Sequence, residues 1–495
     1  MPDKEYVLAI DQGTTGSRAI LYNGAGRVRA SAYQEFPQYY PKPGWVEHDA
    51  SEILTSIQRV ISQAIKKAGI SGRQIRAIGI TNQRETVVLW ERGSGKPVGR
   101  AIVWQDRRTD ALCRTLKKQG FEATIRKKTG LLLDPYFSGT KLRWFFDRHP
   151  SLRRKAKAGS LCFGTIDSWI LFHLTGKVSH ATDFTNASRT LLFDIKRKKW
   201  DRKLCLIFRV PEKILPEAKP SNSLFGTTKN FPPLLDGIPI HALLGDQQAA
   251  LFGQGCYRAG ESKNTYGTGC FLLLNLGSHF SLSRAGLLTT LACDKKGNPT
   301  YAFEGSIFIA GAAVQWLRDG LRIIQNAGET EAIARRTSDS DEVVVVPAFT
   351  GLGAPHWRAD VRGAIFGVTR GTTREMIIKA TLDSIAFQVK DVFDLMKQES
   401  GIRISALKVD GGASRNHYVM QMQADLLNVP ILRTDITEST AWGAAKLAGL
   451  ASGFWPESRV LDSKIRLKRF RPRMSHSKRQ ILIRRWNSAI QRLIA

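Results

Sequence analysis

Several things are missing from this chain, and each absence removes a class of function. Six cysteines in 495 residues, none in a C-x-x-C pair, are too few to staple a chain of this length. No His/Cys cluster has zinc spacing either, so the six read as reduced thiols of a cytoplasmic protein. No apolar run approaches the ~18 residues that a membrane span needs. The opening Met1-Pro-Asp-Lys-Glu5 leads straight into Tyr6-Val-Leu-Ala-Ile10, with no basic leader followed by an apolar stretch, which predicts no export. No long segment has the composition of low complexity or disorder. Gly93-Ser-Gly-Lys96 looks like a Walker loop, but Trp90 stands at the first glycine and Pro97 follows the lysine, so a hairpin turn is expected. Protein-kinase signatures are absent. Acid is scarce: 43 Asp and Glu face 74 Lys and Arg, for a net charge of +31. Such a surface can draw nucleic acid, anionic lipid or small anions. Its basic residues are mostly interspersed with others, which favours a plain solvated surface. The exception is Lys464–Ala495, with eleven Lys and Arg and no acid.

What is present describes a globular α/β protein. Hydrophobic residues make up 42%, enough for sizeable cores, and 495 residues call for two large lobes or three smaller units. Tyr6–Ile10 reads as a strand, Asp11–Gly16 as a turn and Arg18–Tyr22 as a returning strand. A helix is expected over Asp49–Ala68: Asp49 caps it, Glu52 completes a capping-box-like pair, Ile53, Ile57, Val60, Ile61, Ala64 and Ile65 form one stripe, and Gly69 stops it. Strands follow at 77–81 and 86–90. Halfway along, Asn264-Thr-Tyr-Gly-Thr-Gly269 and the apolar run 270–274 repeat the opening device. Helices are expected at 311–325 and 374–397, and a strand at 407–410. Two lobes with one opening device suggest a duplicated unit with a cleft between the halves, 1–250 and 251–495. A terminal helix over 477–495 carries Leu482, Trp486, Ile490, Leu493 and Ile494 at helical spacing and is expected to pack on the second lobe. A membrane-surface helix is the sharper alternative.

Some motifs carry chemistry. In Asp11-Gln-Gly-Thr-Thr-Gly-Ser-Arg18, Gly13 permits a tight turn, Thr14 and Thr15 offer hydroxyls and amides to an anion, and Arg18 supplies charge. In Thr81-Asn-Gln-Arg-Glu-Thr86, Arg84 beside Glu85 can bracket vicinal hydroxyls, one donating and the other accepting, or can form a surface ion pair. Trp104 and Tyr136 can line a small polyol pocket or sit in a core. Gly245-Asp246-Gln247-Gln248 follows an apolar run. Asp246 therefore stands at the carboxyl end of a strand, where ligands of α/β sheets gather and where an Asp can take the proton of an alcohol attacking phosphorus.

With 42–49, 80–86, 134–141, 245–250, 264–271 and 347–355, these motifs resemble the FGGY carbohydrate kinases, in their glycerol-phosphorylating branch, from residue 6 to about 472. The resemblance implies two actin-like (ribonuclease-H-like) lobes that close on glycerol and ATP, and ATP-dependent phosphorylation of a primary hydroxyl. By it, Arg84, Glu85, Tyr136, Asp246 and Gln247 bind the glycerol hydroxyls, with Trp104 and Phe271 against the carbons. Asp246 is the general base and, with Asp11, holds Mg2+. Thr14, Thr15, Gly16 and Arg18 face the transferred phosphate and Thr268 the phosphates from the opposite lobe. Gly311, Gln315, Gly412 and Asn416 seat the nucleotide. A homodimer or homotetramer is implied.

The chain departs from the pattern in places. Gly16 replaces a frequent serine, and Trp442 stands where leucine is common. The segment 230–240 lacks the Gly-Gly-x-Arg loop that binds fructose 1,6-bisphosphate in some members, and 219–226 lacks a phosphorylatable histidine, so neither regulatory mode is expected. The competing readings are a kinase for another polyol or sugar, a nucleic-acid binder using the +31 charge, and an actin-like filament or chaperone ATPase. Intact phosphate turns and Asp246 place nucleic acid behind a small-molecule substrate.

Overall fold

The computed structural model describes residues 5–337, 342–358, 360–435, 438–458 and 467–495. The opening residues 1–4 and the start of the basic stretch, Lys464–Arg466, lie outside it. The strand Tyr6–Gln12 is buried along almost its whole length because both faces of its sheet are covered. It pairs antiparallel with Gly16–Asn23, which pairs with Val28–Glu35. On its other side it runs parallel to Ile75–Asn82, which runs parallel to Pro239–Gly245. The register sets Gln12 and Gly245 both opposite Asn82, so three parallel strands end on one edge. The helix Ala50–Ala68 covers one face. Asp49 caps it through bonds from the amides of Ser51 and Glu52, and Gly69 closes it at φ 65°. The expected return bond from Glu52 does not form, since its carboxylate accepts from the Tyr39 hydroxyl at 2.8 Å instead.

The second sheet repeats this plan. Ser262–Tyr266 pairs antiparallel with Cys270–Gly277, which continues into Pro299–Ile307 and Leu288–Cys293. On the other side it runs parallel to Leu407–Asp410, and that strand parallel to Ile431–Thr434. The helix Arg374–Ser400 packs on this sheet. The expected helix over 311–325 stops at Asp319, where Gly320 lies so close to the Trp316 ring that a Cβ there would be 2.7 Å from it.

Each lobe's outer parallel strand leads into a helix, Asp246–Gly253 in the first and Ser439–Ala451 in the second, and these two helices cross backbone to backbone. A Cβ on Gly443 would fall 1.9 Å from the Ala249 oxygen, and one on Gly253 2.1 Å from the Ser439 oxygen. The second helix also lies on the first sheet, where Gly79 leaves room for the Ala444 carbonyl. Trp442 finds its reason here: it packs on Tyr22 and Trp455, with ring centroids 5.1 and 5.6 Å away, and under Gly26.

All six cysteines are free and buried. The terminal helix, His476–Ile494, is capped by Ser475 and buries Trp486, Ala489 and Ile490. Trp486 stacks on Phe387 and donates to Asp391 at 2.7 Å, so its apolar face is spent on the second lobe. No helix among the described residues is long and apolar enough to cross a membrane.

Candidate active site

The three parallel strands of the first sheet deliver Asp11, Gln83-Arg84 and Asp246 to one edge. Beside them the turn between Gln12 and Gly16 is closed by a bond from the Gly13 amide to the Gly16 carbonyl, 2.9 Å. Glutamines pin it from beneath: Gln83 donates to the Gly13 carbonyl (3.2 Å) and Gln38 to that of Thr14 (3.1 Å). The amides of Thr14 and Thr15 donate to no partner among the described residues, which leaves them for an anion. Gly16 is explained by its surroundings: a Cβ would meet the Tyr33 ring at 2.6 Å and the Gln34 carbonyl at 2.7 Å. Arg18, expected to face phosphate, is paired with Glu438 of the second lobe.

Next to this turn, Arg84 Nε pairs with Asp246 Oδ1 at 3.0 Å, and the same oxygen accepts from the Gln247 amide at 2.7 Å. Gly245 makes room for this arginine, since a Cβ there would be 2.7 Å from its Cδ. Arg84 is buried, whereas the Asp246 side chain is 31% exposed, so the carboxylate reaches the cleft. Arg84 and Glu85 do not form the surface pair that was one of their two readings: both are buried and their closest approach is 3.9 Å. Glu85 sits at φ 63° in a γ-turn closed by Thr86 N to Arg84 O, 2.7 Å, a strained backbone that turns the two side chains apart. Ser138 donates to the Glu85 carbonyl (2.9 Å), and buried Lys141 ties down the carbonyls of Pro135, Tyr136 and Phe137. Those bonds hold Tyr136 against Trp104, 5.5 Å between rings, and Trp104 faces Phe271 of the second lobe at 6.5 Å. The Trp104 indole donates to the Thr14 hydroxyl at 2.9 Å, joining the aromatic wall to the turn between Gln12 and Gly16.

Across the cleft, the carbonyl of Thr268 accepts from the amides of Ala310 and Ala312, and the Gly311 amide donates to the Gly267 carbonyl. A Cβ on Gly311 would stand 2.6 Å from that carbonyl. Gly411 presses on the Tyr266 backbone at φ 87°, so the Gly411-Gly412 turn joins the Thr268 and Gly311 turns at one strand end. Gln315 is exposed one turn further on. Asn416 holds the local structure together, since its Oδ1 caps the helix His417–Leu427 through Val419 N and its amide donates to Thr330.

The Asp11 and Asp246 carboxylates suit the Mg2+ expected from the sequence. Burial pushes Asp11 up to about 7, Arg18 pulls it down and the Asp246 charge adds to the rise. A divalent cation beside it reverses that preference. Mg2+ takes one or two protein carboxylates and keeps water and phosphate as its other ligands, so it needs no larger cluster, and the described residues offer none of three or more His, Cys, Asp or Glu.

Three residues here were not foreseen from the sequence. Glu304 and Lys263 come from strands of the second lobe, and Arg189 follows the short helix Phe184–Ala187. Arg189 Nε donates to Glu85 at 2.6 Å and its Nη2 to Glu304 at 2.8 Å. Lys263 Nζ donates to Gln247 Oε1 at 2.5 Å, and burial lowers its pKa to about 8. Lys263 and Glu304 show in the sequence as charges inside otherwise buried strands, whereas Arg189 stands outside any strand.

Residues 6–253 match the N-terminal domain, and 262–452 the C-terminal domain, of the FGGY family of carbohydrate kinases. The chain is 52% identical over 491 residues to a glycerol kinase of Bacillus velezensis, and 51% identical over 491 residues to one of Bacillus subtilis, covering 99% of each chain in both cases. Among solved structures it superposes on Plasmodium falciparum glycerol kinase with ADP at a TM-score of 0.93 and 37% identity, covering 100% of this chain and 99% of that one. A xylulose kinase of Lactobacillus acidophilus shares the fold at 0.90 and 22% identity, covering 99% of both. With this two-lobed architecture and these matches, the chain belongs to the FGGY family of carbohydrate kinases.

Proposed function

We propose that this chain transfers the γ-phosphoryl group of ATP to a primary hydroxyl of glycerol, giving sn-glycerol 3-phosphate and ADP in the cytoplasm. The observation that carries this reading is the Asp246 carboxylate, fixed through Oδ1 by Arg84 and the Gln247 amide and reaching the cleft beside Trp104 and Tyr136. Its Oδ2 takes no bond among the described residues and is the acceptor for the alcohol proton. The glycerol oxygen forms a bond to the γ-phosphorus, the bond from phosphorus to the β,γ-bridging oxygen breaks, ADP leaves with that electron pair, and the proton goes to Asp246. Residues 1–250 supply the base and the polyol site, with Arg84, Glu85, Tyr136, Asp246 and Gln247 for the hydroxyls and Trp104 and Phe271 for the carbons. Residues 251–495 seat the nucleotide through Thr268, Gly311, Gln315, Gly412 and Asn416. Thr14, Thr15, Gly16 and Arg18 meet the transferred phosphate, and Arg18 exchanges Glu438 for it. Asp11 and Asp246 hold Mg2+, which supplies charge neutralisation to the phosphates when bound. As a homodimer or homotetramer the enzyme is of the kind the resemblance implies. Large side chains around the base leave room for three carbons rather than five, and glycerol kinases alike over nearly the full length support the same substrate.

The test is ADP release by the purified protein with Mg2+ and ATP, comparing glycerol with other polyols, pentoses and hexoses. A preference for glycerol of about a hundredfold or more in kcat/KM is expected, in line with the selectivity of sites that hydrogen-bond their substrate. A stronger preference for another alcohol moves the assignment within the family, and no turnover on any of them removes it.

A further inference from the structure

Glu304 is separated from Arg84 by 220 positions in the chain, yet the two make a two-pronged ion pair in the interior: Nη1 to Oε2 at 2.6 Å and Nη2 to Oε1 at 3.2 Å. The Glu304 side chain is fully buried. Counting the arginine's five N–H groups makes the arrangement informative. Nε faces Asp246 Oδ1, Nη1 is shared out between Glu304 and Gln248 Oε1 (3.2 Å), and one hydrogen of Nη2 goes to Glu304. On Nη2 one N–H is left for a substrate hydroxyl. Three hydrogen bonds and the Nε–Asp246 ion pair therefore fix where that N–H points and hold Asp246 through its Oδ1. Two of the three hydrogen bonds go to a strand of the other lobe. A carboxylate buried in the Pro299–Ile307 strand is costly unless paired, so a residue needed only for stability would be better replaced by an apolar one.

Resting on the glycerol kinase reading above, we propose that Glu304 is a positioning residue for phosphoryl transfer: from the second lobe it aims Arg84 at the polyol and at Asp246, with Arg189 as its counter-cation. The first lobe's substrate site is then complete only when the second lobe is docked against it. The competing role is charge balance alone. Arg84, Arg189 and Lys263 face Glu85, Asp246 and Glu304, with Asp410 also acting on Lys263.

Three variants separate the two. Glu304→Gln removes the charge, Glu304→Asp keeps the charge but shortens its reach, and Glu304→Gln with Arg189→Gln restores the balance without restoring the aim. KM for glycerol and for ATP, and kcat/KM for glycerol against propane-1,2-diol, are measured for each with the full chain. In Glu304→Gln, the glycerol KM is expected to rise about tenfold or more with the ATP KM within about twofold, and discrimination against the diol to fall by about the same factor, the worth of one hydrogen bond to a charged group. The double variant stays impaired, and Glu304→Asp recovers part of the loss. Recovery of the glycerol KM in the double variant, or equal losses on glycerol and the diol with unchanged KM values, overturns the proposal. Should Glu304→Gln not fold, the charge-balanced double and Glu304→Asp decide by the same readouts. A wild-type chain inactive on glycerol defeats the reading beneath the proposal, whereas an active wild type with indifferent variants defeats the proposal alone.

Discussion

The two sheets of this molecule follow one plan, an antiparallel meander joined to parallel strands, but the ends of their strands are furnished differently. The first presents charge: Asp11, Arg84 and Asp246. The second presents backbone: the turns around Thr268, Gly311 and Gly411, where glycines let carbonyls and amides come close. Phosphoryl transfer needs both kinds of surface, a base with an oriented alcohol and a cradle for phosphates. The two sheets offer two similar edges, and the proposed function uses one for each role. The division is incomplete. Glu304 and Lys263 cross from the second lobe to grip Arg84 and Gln247, and Glu438 crosses to Arg18, so the charged edge is partly built by its partner.

The comparison can be broken most severely at the junction. Gly443→Val drives side-chain atoms into the Ala249 carbonyl and is expected to cost about 3 kcal/mol or more, or to prevent folding, as read by urea denaturation. Wild-type stability would mean that the lobes are not joined through this crossing. At the charged edge, Arg84→Lys loses the two-pronged geometry, and kcat/KM for glycerol should fall about a hundredfold or more with a nearly unchanged ATP KM. Trp442→Leu removes the packing on Tyr22 and Trp455 and should cost about 2 kcal/mol in the same denaturation experiment while leaving the glycerol KM alone. The smallest effects compare the two glycine-containing turns, around Gly16 and Gly267. Gly16→Ser should cost about 1–2 kcal/mol, partly returned by Tyr33→Ala, because Tyr33 and the Gln34 carbonyl occupy the space. Gly267→Ala has no contact nearer than 3.6 Å and should stay within about 0.5 kcal/mol.

Local structure was legible wherever the signal is local. The Asp49 cap, the Ile53–Ala64 stripe and the Gly69 stop all stand where expected, because capping and periodicity act within a few residues. Asp246 at a strand end was legible because an apolar run precedes it, and the terminal helix because Trp486 and Ile490 share a face. The return bond of Glu52 was misread since Tyr39, from outside the helix, competes for the carboxylate. Arg189, Lys263 and Glu304 escaped because their partners lie 104, 16 and 220 positions away, so nothing nearby in the sequence names those partners. Trp442 and Gly16 looked like departures without cause until the Tyr22 and Tyr33 rings that shape them were in view.

The most direct test of the account is the turnover of Asp246→Asn beside its glycerol affinity measured by calorimetry. A base at this position predicts kcat lower by roughly 10²–10⁴-fold with glycerol binding changed far less. Turnover within about threefold of wild type would contradict it, because an asparagine there cannot accept the alcohol proton.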